Sequence, residues 1–282
     1  VKHAKTEIES FASRTGTVSA PRLRADRLCV GYAATKIVHN VDLEANPGEV
    51  TILVGPNGCG KSTLLKAMAR VLKPMSGAAL LDGQSVHAMP TRDLARQLAL
   101  LPQGPIAPEG LTVHELVSQG RFPHQSLTRQ WSADDSRAVT DAMKAADIIE
   151  FSDRRVDSLS GGQRQRCWIA MILAQETDVI LLDEPTTFLD LKVQVDVMTL
   201  LRKVARQKSR TLLVVLHELN IAAMFADRIV IMRDGRLIAQ GAPERVITAE
   251  NLAAGFGLQA SVIKDPVTGR PVCLPAIAEP AS

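Results

Sequence analysis

Residues 55–63 read GPNGCGKST, between the apolar run EVTILV and the helix-like run LLKAMARVL. The stretch fits G-x-x-x-x-G-K-[ST], a loop that wraps phosphate oxygens. Gly55, Gly58 and Gly60 let the backbone bend where a Cβ would strike those oxygens. The turned amides and the start of the next helix then offer partial positive charge to phosphate. Lys61 adds a full charge for the β- and γ-phosphates, Ser62 a hydroxyl for Mg²⁺, and Thr63 support for the α-phosphate. A glycine-rich turn that meets the pattern by chance is the competing reading. The apolar strand before it and the amphipathic helix after it argue against chance. Cys59, inside the loop, reads as a small spacer, with a redox switch as the alternative.

Nucleotide hydrolysis needs a second carboxylate near the metal and a group to activate water. VILLDE at 179–184 offers both at the C-terminal end of a buried strand, where open α/β sheets bind ligands. Asp183 would hold Mg²⁺ through water, and Glu184 would polarise the attacking water. An acidic pair that merely ends a strand is the bland alternative. His217 directly follows another apolar run, TLLVVL. Taken alone, a histidine there is more often structural than catalytic.

Residues 159–166 read LSGGQRQR. Taken by itself this is a helix start capped by Ser160. Together with Gly55–Thr63, Asp183, Glu184 and His217, it resembles the ATP-binding subunits of ATP-binding-cassette (ABC) transporters over about residues 23–250. The resemblance implies that the nucleotide contacts include Gly55, Pro56, Asn57, Gly58, Cys59, Gly60, Lys61, Ser62 and Thr63. It implies a head-to-tail homodimer in which Ser160, Gly161, Gly162 and Gln163 of one chain close over ATP held by the other. Gln103 in LLPQ matches the loop that senses Mg²⁺ and water and connects to a membrane partner. Leu189 and Asp190 match the loop at the dimer contact, although TTFLD departs from the Ser-Ala-Leu-Asp form of many members. His217 matches the histidine that touches the γ-phosphate. Tyr32, in CVGYAATK, matches an aromatic that stacks on adenine, with a core tyrosine as the other reading.

These residues need a scaffold, and the hydrophobic pattern supplies one. Alternating strands and helices predict an α/β phosphate-loop ATPase core with a mostly parallel sheet. The pattern is strand-like from about Arg22 to Val54, an N-terminal antiparallel β subdomain is expected, and a hairpin is expected where Asp234-Gly235 separates two apolar runs. A helix is expected over 64–72, ended by Pro74 and Gly77, and another over 191–207. Residues 104–165 read as an inserted α-helical subdomain carrying the LSGGQ signature. The organisation expected is a polar leader at 1–21, an ATP-binding domain at 22–258 and a tail at 259–282, irregular from Pro266. The leader lacks the apolar segment of a secretory signal.

Composition narrows the partners. The net charge of +3 in 282 residues gives no argument for nucleic acid. Four scattered cysteines, with no C-x-x-C pair, disfavour a disulfide framework or a zinc site. No apolar run reaches the length of about 18 residues needed to span a bilayer. GRFPHQ, RQWSADD and RDGRLIAQGAPERVIT resemble the importers of ferric siderophores most closely, with haem, cobalamin or metal-ion importers as the alternative. The resemblance then implies ATP and Mg²⁺ as cofactors and integral membrane permease subunits as partners. It also implies a periplasmic or lipid-anchored substrate-binding protein and a peripheral place on the cytoplasmic face of the inner membrane. A soluble cassette ATPase acting on DNA or ribosomes is the reading of a different class. Its paired cassettes, zinc insertion or coiled-coil arms are not seen here.

Overall fold

The structure is a computed structural model that describes residues 21–125 and 131–276. The leader expected at 1–21 therefore lies outside the described residues except for Pro21. A central sheet runs in the order β10-β9-β3-β8-β7-β6. Its strands are β3 (Val50–Val54), β6 (Leu98–Leu101), β7 (Val179–Asp183), β8 (Thr211–Val215), β9 (Arg228–Arg233) and β10 (Arg236–Gly241). All neighbours are parallel except β10, which returns antiparallel from β9 through Asp234-Gly235.

Strands β3, β7 and β8 are buried at every position, as parallel strands covered on both faces must be. Side chains alternate between two cores because strand residues point to opposite faces. Ile52, Ile180, Leu182, Leu212 and Val214 enter the larger core, while Leu53, Leu181, Leu213 and Val215 enter the smaller.

The smaller core is closed by an antiparallel sheet, β2-β1-β4-β5, built from β1 (Leu23–Tyr32), β2 (Thr35–Ala45), β4 (Ser76–Leu81) and β5 (Gln84–Ser85). Helix α1 (Lys61–Met68) packs there too. It stops well before Pro74, short of the helix expected to reach residue 72. Arg70 takes a left-handed conformation at φ 63°, and the amides of Val71 and Leu72 fold back to the Lys66 carbonyl. This is a helix-ending turn that usually carries glycine, so an arginine there hid it.

After α2 (Thr91–Ala95), the chain forms α3 (Val113–Ser118), α4 (Ala133–Ala145) and α5 (Gly161–Ala174), which pack mainly on one another and on the larger core. Capping boxes start all three: Thr112 with Glu115, Ser132 with Asp135, and Ser160 with Gln163. Then come α6 (Leu191–Gln207), α7 (Leu219–Phe225), α8 (Pro243–Val246) and α9 (Ala249–Phe256). The tail expected to be irregular from Pro266 is instead an antiparallel hairpin, β11 (Ala260–Lys264) with β12 (Pro271–Pro275). Its prolines occupy the turn and the two ends of β12, where a missing amide costs little.

The inserted helices are tied to the core by one buried cation. Arg121 donates to Asp135 Oδ1 at 2.9 Å, to the Ala174 carbonyl at 2.6 Å and to Glu176 Oε2 at 2.9 Å. Both the Arg121 and Asp135 side chains are almost wholly buried. Burial pushes the Asp135 carboxyl up, but hydrogen bonds from Ser132 and Arg121 outweigh it and leave it below its ordinary value. The pair's contribution is therefore complete above the ordinary aspartate range and is lost as pH falls through the lowered folded-state value. Arg121→Met is expected to lower the unfolding free energy by about 3–5 kcal/mol at neutral pH, because it strands a buried carboxylate. Urea titration measures this, and Asp135→Asn should remove part of the acid-side loss.

Candidate active site

Four neighbouring strands of the sheet, β3, β8, β7 and β6, end at one edge in matched register. The residues that leave those ends are the phosphate-loop residues after β3, His217 after β8, Asp183 and Glu184 at β7, and Gln103 after β6. Parallel strands thus bring four distant stretches of sequence to one cleft at their carboxyl ends. The cleft measures about 520 Å³ and is lined by Asn57, Gly58, Gly60, Lys61, Ser62, Thr63, Gln103, Glu184 and His217, joined by Ile37, Thr187 and Phe188.

The loop's backbone needs its glycines. A Cβ on Gly55 would lie 2.2 Å from the Met232 carbonyl oxygen. Gly60 caps α1 at φ 101°, a conformation that favours glycine. Lys61 is 5% exposed, and its Nζ donates to the carbonyls of Gly55 at 2.8 Å and Pro56 at 3.0 Å. A third, longer contact runs to Cys59 Sγ at 3.8 Å, a weak acceptor that an anion in the cleft would replace. A site with a buried cation, a helix start and glycine-shaped backbone suits an anion. Cys59 is buried, and burial pushes its thiol pKa up, which supports the spacer reading over a reactive thiolate.

Opposite the loop, Ser62 Oγ donates to Asp183 Oδ1 at 2.8 Å. Burial, followed by the nearby Glu184 charge, raises the Asp183 carboxyl despite that bond from Ser62. Glu184 sits at φ 54°, uncommon for a residue with a Cβ. Its carboxylate faces Gln103 Nε2 at 2.6 Å, Thr187 Oγ1 at 3.1 Å and His217 Nε2 at 2.5 Å. Against an ionised glutamate, His217 Nε2 must carry the proton. All three groups therefore donate, which holds the carboxylate in one orientation at the mouth of the phosphate loop.

Several expected residues lie elsewhere. Ser160 caps α5: its hydroxyl accepts from the Gln163 amide at 3.3 Å, and the Gln163 side chain accepts from the Ser160 amide at 3.0 Å. Neither residue lines the cleft of its own chain. A Cβ on Gly161 would meet nothing within 4 Å, whereas one on Gly162 would lie 3.0 Å from Val193. Gly161 is thus open and Gly162 serves packing against α6. Asp190 caps α6 by accepting from the Val193 amide at 2.9 Å. Tyr32 is 49% exposed at the end of β1, so the core-tyrosine reading does not hold, and it too stays outside the cleft lining. Thr187, Phe188 and Ile37 are cleft residues missed in the sequence. The stretch TTFLD contains two of them, and a hydroxyl three residues after Glu184 was the available signal.

A parallel sheet ending in a glycine-rich loop, with a lysine and acidic groups gathered at one edge, defines a phosphate-loop nucleotide hydrolase. The chain belongs to the ABC transporter family of ATP-binding proteins, ATPases coupled to transport: the family model described as "ABC transporter" matches residues 38–187. It is 49% identical to the petrobactin import ATP-binding protein FpuD of Bacillus anthracis, over 90% of this chain and 93% of that one. It is 46% identical to the ferric enterobactin transport ATP-binding protein FepC of Escherichia coli strain K12, over 92% of this chain and 96% of the relative. Among solved structures, it is similar to the dimeric bacterial ABC transporter cassette MJ0796, with a TM-score of 0.69 and 27% identity over 78% of this chain and 98% of that one. The expected α/β cassette with an antiparallel β subdomain is therefore the observed fold.

Proposed function

We propose that this chain powers uptake of ferric siderophores by hydrolysing ATP between two copies of itself. The observation that carries the catalytic reading is the Glu184 carboxylate, held by donors from three separate segments beside the phosphate loop. The loop amides and the Lys61 ammonium receive the phosphates. Ser62 and Asp183, two hard oxygen donors 2.8 Å apart, suit Mg²⁺, which binds one or two carboxylates together with substrate phosphates. When bound, Mg²⁺ neutralises charge on the β- and γ-phosphate oxygens. Glu184 takes the proton of the attacking water as its oxygen bonds to the γ-phosphorus, and the bond to the β-phosphate oxygen breaks to leave ADP. Gln103 and His217 hold that carboxylate and adjoin the γ-phosphate.

In the same reading, Ser160, Gly161, Gly162 and Gln163 of a second copy cover the ATP, and Asp190 lies at the contact between copies. The open space around Gly161 supports a partner's phosphate there. ATP favours the closed dimer because it touches both copies only in that state, and hydrolysis removes the bond between them. That motion drives permease subunits in the inner membrane, with the chain peripheral on the cytoplasmic face. A periplasmic or lipid-anchored binding protein delivers the substrate. Ile106 and Phe122, 90% and 64% exposed in the stretch after Gln103, support this face as the permease contact. Ferric siderophores are the substrate class because the relatives described above are named for petrobactin and ferric enterobactin.

Among the described residues no helix is long and apolar enough to cross a membrane; in this reading the permease subunits hold the chain at the membrane. Fractionation of cells expressing the full chain tests this. The expected result is recovery in washed membranes together with a polytopic partner. Recovery with ribosomes or DNA would favour a non-transport cassette instead.

A further inference from the structure

We propose that the C-terminal hairpin β11–β12 is a strap that sets the position of His217, and that Asn220 is the positioning residue through which it acts. The proposal rests on the role given to His217 above. His217 makes its contact with Glu184 from a short span of chain. The last backbone anchor before it is the Leu216 amide on the Leu53 carbonyl at 3.0 Å. The next is the Ala222 amide on the Glu218 carbonyl at 2.9 Å, the first hydrogen bond of α7. Where α7 begins therefore decides where His217 sits.

Helix α7 cannot set its own position. It has 7 residues, and its N-cap residue Glu218 makes no side-chain cap bond. Isolated helices shorter than about 12 residues are marginal in water. Its buried side, Ile221, Ala222, Ala223 and Phe225, holds it against the core. On the other side the hairpin grips both ends. Near the start, Asn220 Oδ1 accepts from the Cys273 amide at 2.8 Å, and Asn220 Nδ2 donates to the Cys273 carbonyl at 3.2 Å. The side-chain amide thus pairs with β12 at two points, as a neighbouring strand would. At the far end, Arg270 donates to the Ala226 carbonyl at 3.2 Å and to Glu244 Oε1 at 3.3 Å. The strap is itself docked: Cys273 is 4% exposed within the larger core, and Ala260 and Val262 pack against that core. The Glu184–His217 contact is thereby linked through Asn220 to a segment outside the nucleotide cleft.

The test is a kinetic cycle on the full chain assembled with its permease. Asn220→Ala is expected to lower kcat for ATP about fivefold to tenfold while KM for ATP changes less than about twofold, the split of a residue acting after binding. Removing residues 259–282 should give the same split. In a His217→Ala background, Asn220→Ala should lower kcat no further, because residues acting as one unit are non-additive. Unchanged kcat in Asn220→Ala overturns the proposal, as does a loss that adds in full to that of His217→Ala. If the truncated chain fails to fold, the Asn220→Ala cycle still decides. Wild-type kcat in His217→Ala alone would instead refute the role assigned to His217, a different and separately visible failure.

Discussion

Glu184→Gln is expected to bind ATP as tightly as the wild type and to hydrolyse it about 10²–10⁴-fold more slowly, accumulating as an ATP-bound dimer. The amide has nearly the same shape as the carboxylate, so the fold and the phosphate loop are left alone. What changes is the chemistry at Oε1 and Oε2. Glutamine cannot take a proton from water. It also presents an N–H group where the carboxylate meets only donors, from Gln103, Thr187 and His217. Ground-state binding rests on other groups, chiefly Lys61 and the loop amides, so affinity should persist. Single-turnover hydrolysis of radiolabelled ATP, read beside light scattering, gives both quantities. Hydrolysis at the wild-type rate would place the base elsewhere.

Lys61→Ala should act at the opposite step. Its ammonium is held by the Gly55 and Pro56 carbonyls and by a weak contact to Cys59 Sγ, beside the cleft it lines. Hydrogen bonds to charged groups contribute about 1.5–3 kcal/mol each, so ATP affinity should fall about 10- to 100-fold. Calorimetric titration of ATP with Mg²⁺ measures the loss, and a thermal melt checks that the loop still folds. Affinity within about twofold of wild type would show that the amides alone hold the phosphates.

Much of this site could be read in the sequence because its parts are local. The phosphate loop, the acidic pair and His217 each sit at the end of an apolar run, and parallel strands of equal length carry such ends to one edge. Helix α6 is read correctly over 191–207 because its apolar spacing is strong and Asp190 caps it. The misreadings share a different cause. Arg70 ends α1 with a backbone conformation that residue type does not announce. The hairpin β11–β12 looked irregular because its prolines fall at strand ends, and its stability comes from docking against α7 and the core. Ile37 reaches the cleft only through the packing of distant elements, whereas Phe188, four residues after Glu184, borders it fully exposed at φ 64°. The LSGGQ segment is the reverse case. Its cap is legible as local chemistry, while the place over ATP proposed for it needs a second copy, which no single-chain pattern encodes.

The central claim is that ATP hydrolysis in this chain drives uptake of ferric siderophores. The most direct measurement is uptake of radioactive iron, presented as a panel of ferric siderophores, to cells lacking the gene. The cells are complemented with wild type or with Lys61→Ala. Loss of uptake for at least one siderophore, restored by wild type and not by Lys61→Ala, is the predicted result. Uptake that is unchanged across the whole panel when the gene is removed would contradict the substrate assignment, and haem and cobalamin would then be tested in the same cells.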